Sequence, residues 1–86
     1  MIKRPVKVSI TYCAECGYEY QTIDLASKLM NEFQLDLASI EIIPWANGAF
    51  EVSVGGRLVH SMMRDGGFPE FETIADAVRT QLVVQA

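Results

Sequence analysis

The sequence PVKVSITYCAECG, residues 5–17, joins a strand pattern to a pair of cysteines and decides the fold. Apolar and polar residues alternate from Pro5 to Thr11, as they do in a β-strand with one buried face. The strand runs directly into the motif Cys13-Ala14-Glu15-Cys16, and a helical pattern begins at Gly17. We therefore predict that the cysteine pair lies where the first strand ends and the first helix begins.

The rest of the chain supplies three more strands and a second helix. Apolar residues at helical spacing predict that the first helix extends over Gly17–Phe33, and β-branched residues predict a strand over Leu37–Trp45. Alternating residues at 50–54 and 57–60, separated by two glycines, are typical of a hairpin. Apolar residues then recur every three or four positions over Phe71–Leu82, after a proline suited to a helix start. The order β-α-β-β-β-α predicts an α/β (α+β) fold, with a mixed four-stranded sheet covered by two helices.

Length and composition indicate a globular protein. The chain has 86 residues, of which 50% are hydrophobic and 21% charged, and this length predicts a single domain over residues 1–86. A net charge of −4 argues against a nucleic-acid partner. The longest apolar stretch, Leu37–Ala46, is too short and too polar to cross a membrane, so no membrane partner is predicted. No signal peptide is evident, and we expect a cytoplasmic protein.

The spacing of the cysteines indicates redox chemistry. In a reducing compartment, two cysteines three positions apart are typical of a redox-active or metal-binding pair rather than a permanent crosslink. The N-terminus of a helix lowers a cysteine pKa from ~8.5 to about 3.5–7.5, and one thiolate can then attack a disulfide while the other resolves the product. Cys13 and Cys16 are the predicted catalytic residues. Glu15 lies between them and opposes the fall in pKa, and no cofactor is predicted.

Other roles for the cysteines stay open at this point. A structural zinc site takes about four ligands. Apart from the two cysteines, His60 is the only plausible ligand in the sequence, so no metal site is predicted. The cysteines could also be small buried residues without chemistry. His60 could act as a general base, but a lone histidine at a strand end is usually structural or exposed.

Aromatic residues surround the motif. Tyr12, Tyr18 and Tyr20 flank the cysteines and could form a contact surface for a partner, and alternatively they cover the end of the sheet. Of these, Tyr12 and Tyr18 are the predicted binding residues. Trp45 is predicted to pack in the core or at its rim. The methionines and glycines of residues 62–67 predict a mobile loop.

Three segments stand out in the chain: YCAECGY at 12–18, GAFEVSVGGRLVHS at 48–61 and DGGFP at 65–69. Together they extend over nearly the whole chain, and they resemble the selenoprotein W family, the redox group that also includes selenoproteins T and H. The resemblance is to cysteine-containing bacterial members. It implies a thioredoxin-like fold and a redox site in which Cys13 matches the family's cysteine and Cys16 its selenocysteine. Protein thiols or disulfides, or glutathione, are the partners that it implies.

The sequence leaves open which of the two cysteines attacks the substrate. Thioredoxins attack with their first cysteine, whereas the more reactive atom of this family stands at the second position. We favour Cys16 and expect it to lie deeper than Cys13 in the first helical turn, where burial could shield it and leave Cys13 to react. Pro44 does not match the proline that thioredoxins place opposite their dithiol. The leading hypothesis is a thiol–disulfide oxidoreductase, and the alternative is a non-catalytic protein-interaction module switched by oxidation of the same pair.

Overall fold

The structure, a computed structural model, describes residues 5–85. The secondary-structure elements in this range are β1 Val6–Cys13, α1 Glu19–Phe33, β2 Leu37–Trp45, β3 Phe50–Val54, β4 Arg57–Ser61, α2 Met62–Asp65 and α3 Phe71–Gln85. A 3₁₀ turn at Gln34–Asp36 joins α1 to β2. Residues 1–4 and 86, which the predicted single domain includes, lie outside the described range.

The four strands form one mixed sheet in the order β2-β1-β3-β4. β1 pairs in parallel with β2 and antiparallel with β3, and β3 and β4 form an antiparallel hairpin. Parallel neighbours need a crossover connection, and α1 supplies it between β1 and β2. The predicted mixed sheet and hairpin are confirmed, and the arrangement is consistent with a thioredoxin-like fold. β1 lies inside the sheet, so Cys13 ends an interior strand.

The hydrophobic core lies between one face of the sheet and the helices α1 and α3. Alternation along β1 and β3 turns every second side chain toward these helices. The strands contribute Val6, Val8, Ile10, Phe50, Val52 and Val54, and the helices contribute Leu25, Ala26, Leu29, Phe33, Ile74, Ala75, Val78 and Leu82. Burial of a large apolar side chain stabilises a fold by about 1.5–3 kcal/mol, so this layer anchors both long helices. Within residues 5–85, no helix is long and apolar enough to cross a membrane.

The boundary between β1 and α1 differs from the prediction. β1 continues to Cys13 instead of ending at Thr11, because the strand keeps its pairing with Trp45 of β2 at this point. α1 begins at Glu19 and not at Gly17, because Gly17 has a φ of 77°, outside the helical range. The connection between strand and helix is therefore longer than the sequence pattern indicates.

A short helix, α2, occupies part of the predicted mobile loop. Ser61 precedes it, and the Ser61 Oγ accepts a hydrogen bond from the Arg64 N–H at 3.4 Å. The Ser61 N–H donates to the Asp65 Oδ2 at 3.1 Å. Four residues are too few to show helical periodicity, so the sequence pattern predicts only the two long helices.

Candidate functional site

A disulfide joins Cys13 and Cys16 at the end of β1. Their Cα atoms are 5.4 Å apart, within the usual range for disulfides. Cys13 is the last residue of β1, and Cys16 lies in the turn that leads to α1. The structure therefore brings the two sequence-predicted cysteines together as a pair.

Backbone hydrogen bonds hold the cysteine turn against the end of β2 and the chain that follows it. The Cys13 N–H donates to the carbonyl oxygen of Ala49 at 2.7 Å, and the Ala14 N–H donates to that of Trp45 at 2.9 Å. Within the turn, the Cys16 N–H donates to the Cys13 carbonyl oxygen at 3.4 Å. The acceptors Trp45 and Ala49 are far from the cysteines in sequence, so a local pattern carries no signal for them.

The two cysteines differ in exposure. Cys13 is 1% exposed, whereas Cys16 is an exposed residue. The prediction that Cys16 lies deeper in the first turn of α1 is wrong, because α1 begins only at Glu19 and the turn before it carries Cys16 to the surface. Cys16 is thus the cysteine that another molecule can reach.

Tyr12 and Tyr18 are half-buried and pack against the core. The Tyr18 ring contacts the Phe68 ring edge to face, with centroids 4.9 Å apart, and the Phe50 ring at 6.5 Å. Phe68 also contacts Phe50 at 5.0 Å. This packing fits the interpretation that the tyrosines cover the end of the sheet, and their role in binding a partner stays a prediction. Phe68 was missed as a neighbour of the cysteine turn, because no local signal connects residues 18 and 68.

Two other aromatic side chains are open to solvent near the cysteine turn. Tyr20 is 76% exposed and begins α1 together with Glu19. Trp45 is 64% exposed, lies opposite Cys13 in the strand register and so belongs to the rim of the fold, not to its core. These residues, rather than Tyr12 and Tyr18, present aromatic surface to solvent.

His60 is buried and hydrogen-bonded. Its Nε2–H donates to the carbonyl oxygen of Gly67 at 2.8 Å, and its Nδ1 lies 3.7 Å from the Asp65 Oδ2. β3 separates the His60 strand from β1. These contacts favour a structural role for His60. Across residues 5–85, no group of three His, Cys, Asp or Glu side chains is arranged to hold a metal ion.

The sheet, the two long helices on one face and the disulfide at the end of an interior strand define a small α+β protein with a Cys-x-x-Cys pair. Residues 7–80 match the Rdx family. The chain belongs to this redox-associated family.

Known relatives agree with this assignment. The chain is 40% identical over 68 residues to selenoprotein W of Mus musculus, covering 77% of this chain and 76% of that protein. It is 34% identical over 74 residues to migration and invasion enhancer 1 of Bos taurus, covering 86% of this chain but only 63% of the relative, less than two thirds of its length. The resemblance to selenoprotein W is confirmed.

Solved structures share the fold. A Bordetella parapertussis protein superposes with a TM-score of 0.85 at 29% identity, over 92% of this chain and 100% of that one. A selenoprotein W-related protein from Vibrio cholerae superposes with a TM-score of 0.87 over 92% of this chain and 99% of that one. Its identity of 24% supports the fold alone.

Proposed function

We propose that this protein is a thiol–disulfide oxidoreductase in which Cys13 and Cys16 cycle between dithiol and disulfide. The observation that carries the proposal is one disulfide with a buried and an exposed cysteine. Another molecule can reach the exposed sulfur, and the buried sulfur beside it can resolve the product. Membership of a redox-associated family supports the same activity.

The exposed Cys16 is the attacking residue in this proposal. Its thiolate attacks one sulfur of a substrate disulfide, the substrate S–S bond breaks, and the other substrate sulfur leaves and takes up a proton. The Cys13 thiolate then attacks the Cys16 sulfur and releases the second substrate thiol. Two electrons pass to the substrate, and the two protons of the protein thiols end on the substrate thiols. An external thiol regenerates the dithiol by the reverse sequence.

Burial explains why the roles are not exchanged. A mixed disulfide on Cys13 would place a substrate group where the side chain is 1% exposed. The hydrogen bond from the Cys13 N–H to the Ala49 carbonyl oxygen also holds the backbone of this buried residue in place. A mixed disulfide on Cys16 needs no such movement. Cys16 also occupies the position that matches selenocysteine in the family.

Single cysteine variants test this assignment. We expect Cys13→Ser to accumulate a mixed disulfide on Cys16, because the resolving sulfur is absent, and mass spectrometry of the intact protein detects the added mass. We expect Cys16→Ser to form mixed disulfides at least about tenfold more slowly, since a buried thiol reacts poorly. Wild-type protein should turn over with an excess of external thiol. Full reductase activity in both single variants would overturn the proposal.

The alternative function is a protein-interaction module switched by oxidation of the same pair. The position of Tyr18 favours this alternative, because Tyr18 follows Cys16 by two residues and its ring contacts Phe68. A conformational change of the cysteine turn on oxidation can therefore be passed through this contact to the segment after α2. A module of this kind captures its partner stoichiometrically in one redox state and shows negligible turnover. Measured turnover in the cysteine experiment decides between the two functions.

Protein disulfides and glutathione are both proposed partners. Each offers a sulfur that the exposed Cys16 can reach. We propose that the protein acts in the cytoplasm. The glutathione couple there has a reduction potential of roughly −220 to −320 mV, which can return an oxidised cysteine pair to the dithiol form. Glutathione would act as the reducing thiol, and protein disulfides as the oxidised substrates.

A further inference from the structure

Trp45, the last residue of β2, presents its indole ring to solvent. The side chain is 64% exposed, although tryptophan is on average one of the well-buried residue types. The residues before it continue the apolar surface, because Pro44 is exposed and Ile43 is half-buried. The end of β2 is therefore an apolar surface that the fold itself leaves open.

This apolar surface lies beside the cysteine pair. Trp45 is paired with Cys13 in the parallel register of β1 and β2, and paired residues of neighbouring strands point to the same side of a sheet. Ile43 and Thr11 form the preceding pair on that side. Because the disulfide joins Cys13 to Cys16, the indole ring and the reactive pair share one end and one side of the sheet.

Backbone hydrogen bonds fix the position of Trp45 relative to the cysteine turn. The Trp45 carbonyl oxygen accepts a hydrogen bond at 2.9 Å from the N–H of Ala14, which lies between the two cysteines. Four residues later, the Ala49 carbonyl oxygen accepts one from the Cys13 N–H at 2.7 Å. Neither bond involves a sulfur atom, so we expect Trp45 to stay beside the turn when the disulfide is reduced.

The position of β2 leaves space for a second chain next to Trp45. In the sheet order β2-β1-β3-β4, β2 is an edge strand with β1 on one side and no strand of residues 5–85 on the other. A polypeptide bonded to the exposed Cys16 can therefore lie beside Trp45 without displacing any element of the fold. Tryptophan is also enriched among the residues that contribute most to protein–protein binding.

We propose that Trp45 determines substrate specificity by packing against an apolar side chain next to the substrate cysteine. The inference rests on the proposed oxidoreductase activity and names its substrate class, protein disulfides flanked by a bulky apolar residue. The contact removes apolar surface of both partners from water, which favours the bound substrate. Glutathione has no apolar side chain beside its cysteine, so it gains nothing from Trp45 and acts only as the reducing thiol.

Matched peptides test the inference. We would measure single-turnover reduction of symmetric peptide disulfides by pre-reduced protein, with either leucine or serine at each position next to the cysteine. The leucine peptide should be reduced about tenfold faster at the best position. The ratio of the two rates is the informative quantity, because effects on the sulfur chemistry that both peptides share cancel in it.

Variants of Trp45 connect this preference to the indole ring. Trp45→Ala should bring the rate ratio close to one, and Trp45→Phe should restore most of it. Leu35→Ala is the matched control, because Leu35 is 93% exposed and precedes β2 at the end of the strand opposite Trp45. This control should keep the wild-type ratio, and an unchanged ratio in Trp45→Ala would overturn the inference.

Tryptophan fluorescence tests the contact without any turnover. Trp45 is the one tryptophan of the chain, and Cys16 is the one cysteine left in Cys13→Ser. Each peptide would be attached to Cys16 of this variant through an activated disulfide. The leucine peptide should shift the Trp45 emission maximum to shorter wavelength, because it excludes water from the indole ring, and the serine peptide should not.

The two measurements separate this inference from the proposed function. Equal reduction rates for the two peptides, with or without the emission shift, would overturn the role of Trp45 in specificity and leave the oxidoreductase intact. If wild-type protein with external thiol turned over neither peptide, the oxidoreductase would be overturned, and the substrate assignment with it.

Discussion

Asp65 shows how one side chain ties the end of β4 to α2. The Arg64 Nε–H and Nη2–H donate to the two carboxylate oxygens of Asp65, each at 2.8 Å. The Ser61 N–H also donates to this carboxylate, and His60 lies beside it. These hydrogen bonds, led by those of Arg64, lower the pKa of Asp65 from 3.8 to about 2. The charged form of Asp65 therefore favours the folded protein.

Asp65→Asn tests this electrostatic contribution. Because the folded-state pKa lies below the ordinary value, the stabilisation is complete above about pH 4 and is lost as the pH falls toward about 2. We expect the wild-type advantage in free energy of unfolding to be constant above this window and to shrink within it. Urea unfolding at a series of pH values measures the difference. Asp36→Asn is the control, since Asp36 belongs to none of the ion pairs found among the described residues. A difference in free energy of unfolding between wild type and Asp65→Asn that does not change with pH would contradict the expectation.

At the scale of elements, α1 and α3 are joined by packing and by one arginine. Arg79 of α3 donates to Glu32 of α1 at 3.3 Å, and to Glu72 and Asp76 on its own helix at 3.1 and 2.9 Å. Its guanidinium also lies over the ring of Phe33, 5.7 Å from the centroid. Exposed ion pairs contribute about 0–1 kcal/mol each, so buried apolar contacts hold the helices on the sheet.

Two leucines separate the loss of buried contacts from the loss of an exposed side chain. Leu29 of α1 is fully buried in the core, whereas Leu35, in the turn after α1, is 93% exposed. We expect Leu29→Ala to lower the free energy of unfolding by about 2–5 kcal/mol, because it removes buried methyl groups and leaves a cavity. Leu35→Ala should change it by less than about 0.5 kcal/mol. Equal losses for the two variants, measured by urea unfolding, would show that α1 is not held by this layer.

At the scale of the whole molecule, the redox state and the stability of the fold are coupled. The Cys13–Cys16 disulfide closes a loop with a sequence separation of 3. A short closed loop restricts the unfolded chain only modestly, and the chain-entropy relation gives about 2 kcal/mol for this size. The fold itself rests on the core, so the dithiol form should remain folded.

Unfolding with and without reductant measures this coupling. We expect the oxidised protein to be more stable than the reduced protein by up to about 2 kcal/mol, with the same fold in both forms by circular dichroism. The double variant with Cys13→Ser and Cys16→Ser should show no response to reductant. A reduced protein that unfolds completely would mean that the disulfide is a structural crosslink and not an exchangeable pair.

The sequence by itself determined the order of the elements and the identity of the cysteine pair. Alternation over Pro5–Thr11 and helical spacing up to Phe33 arise from burial of one face, and burial of one face is visible locally in a sequence. The bounds of β2 followed from its β-branched and large apolar residues, and those of the hairpin followed from alternation to within one residue, since β4 extends to Ser61. The motif segments at 12–18, 48–61 and 65–69 also identified the family.

Only the tertiary structure decided which cysteine is exposed. The positions of Cys13 and Cys16 depend on hydrogen bonds to the end of β2 and to the chain after it, such as that from Ala14 to Trp45, and on a helix that begins at Glu19. The contact of Tyr18 with Phe68 likewise arises between segments far apart in the chain. A local pattern reports which residues seek burial, but the distant partners that bury or expose a given atom are set only when the whole chain packs.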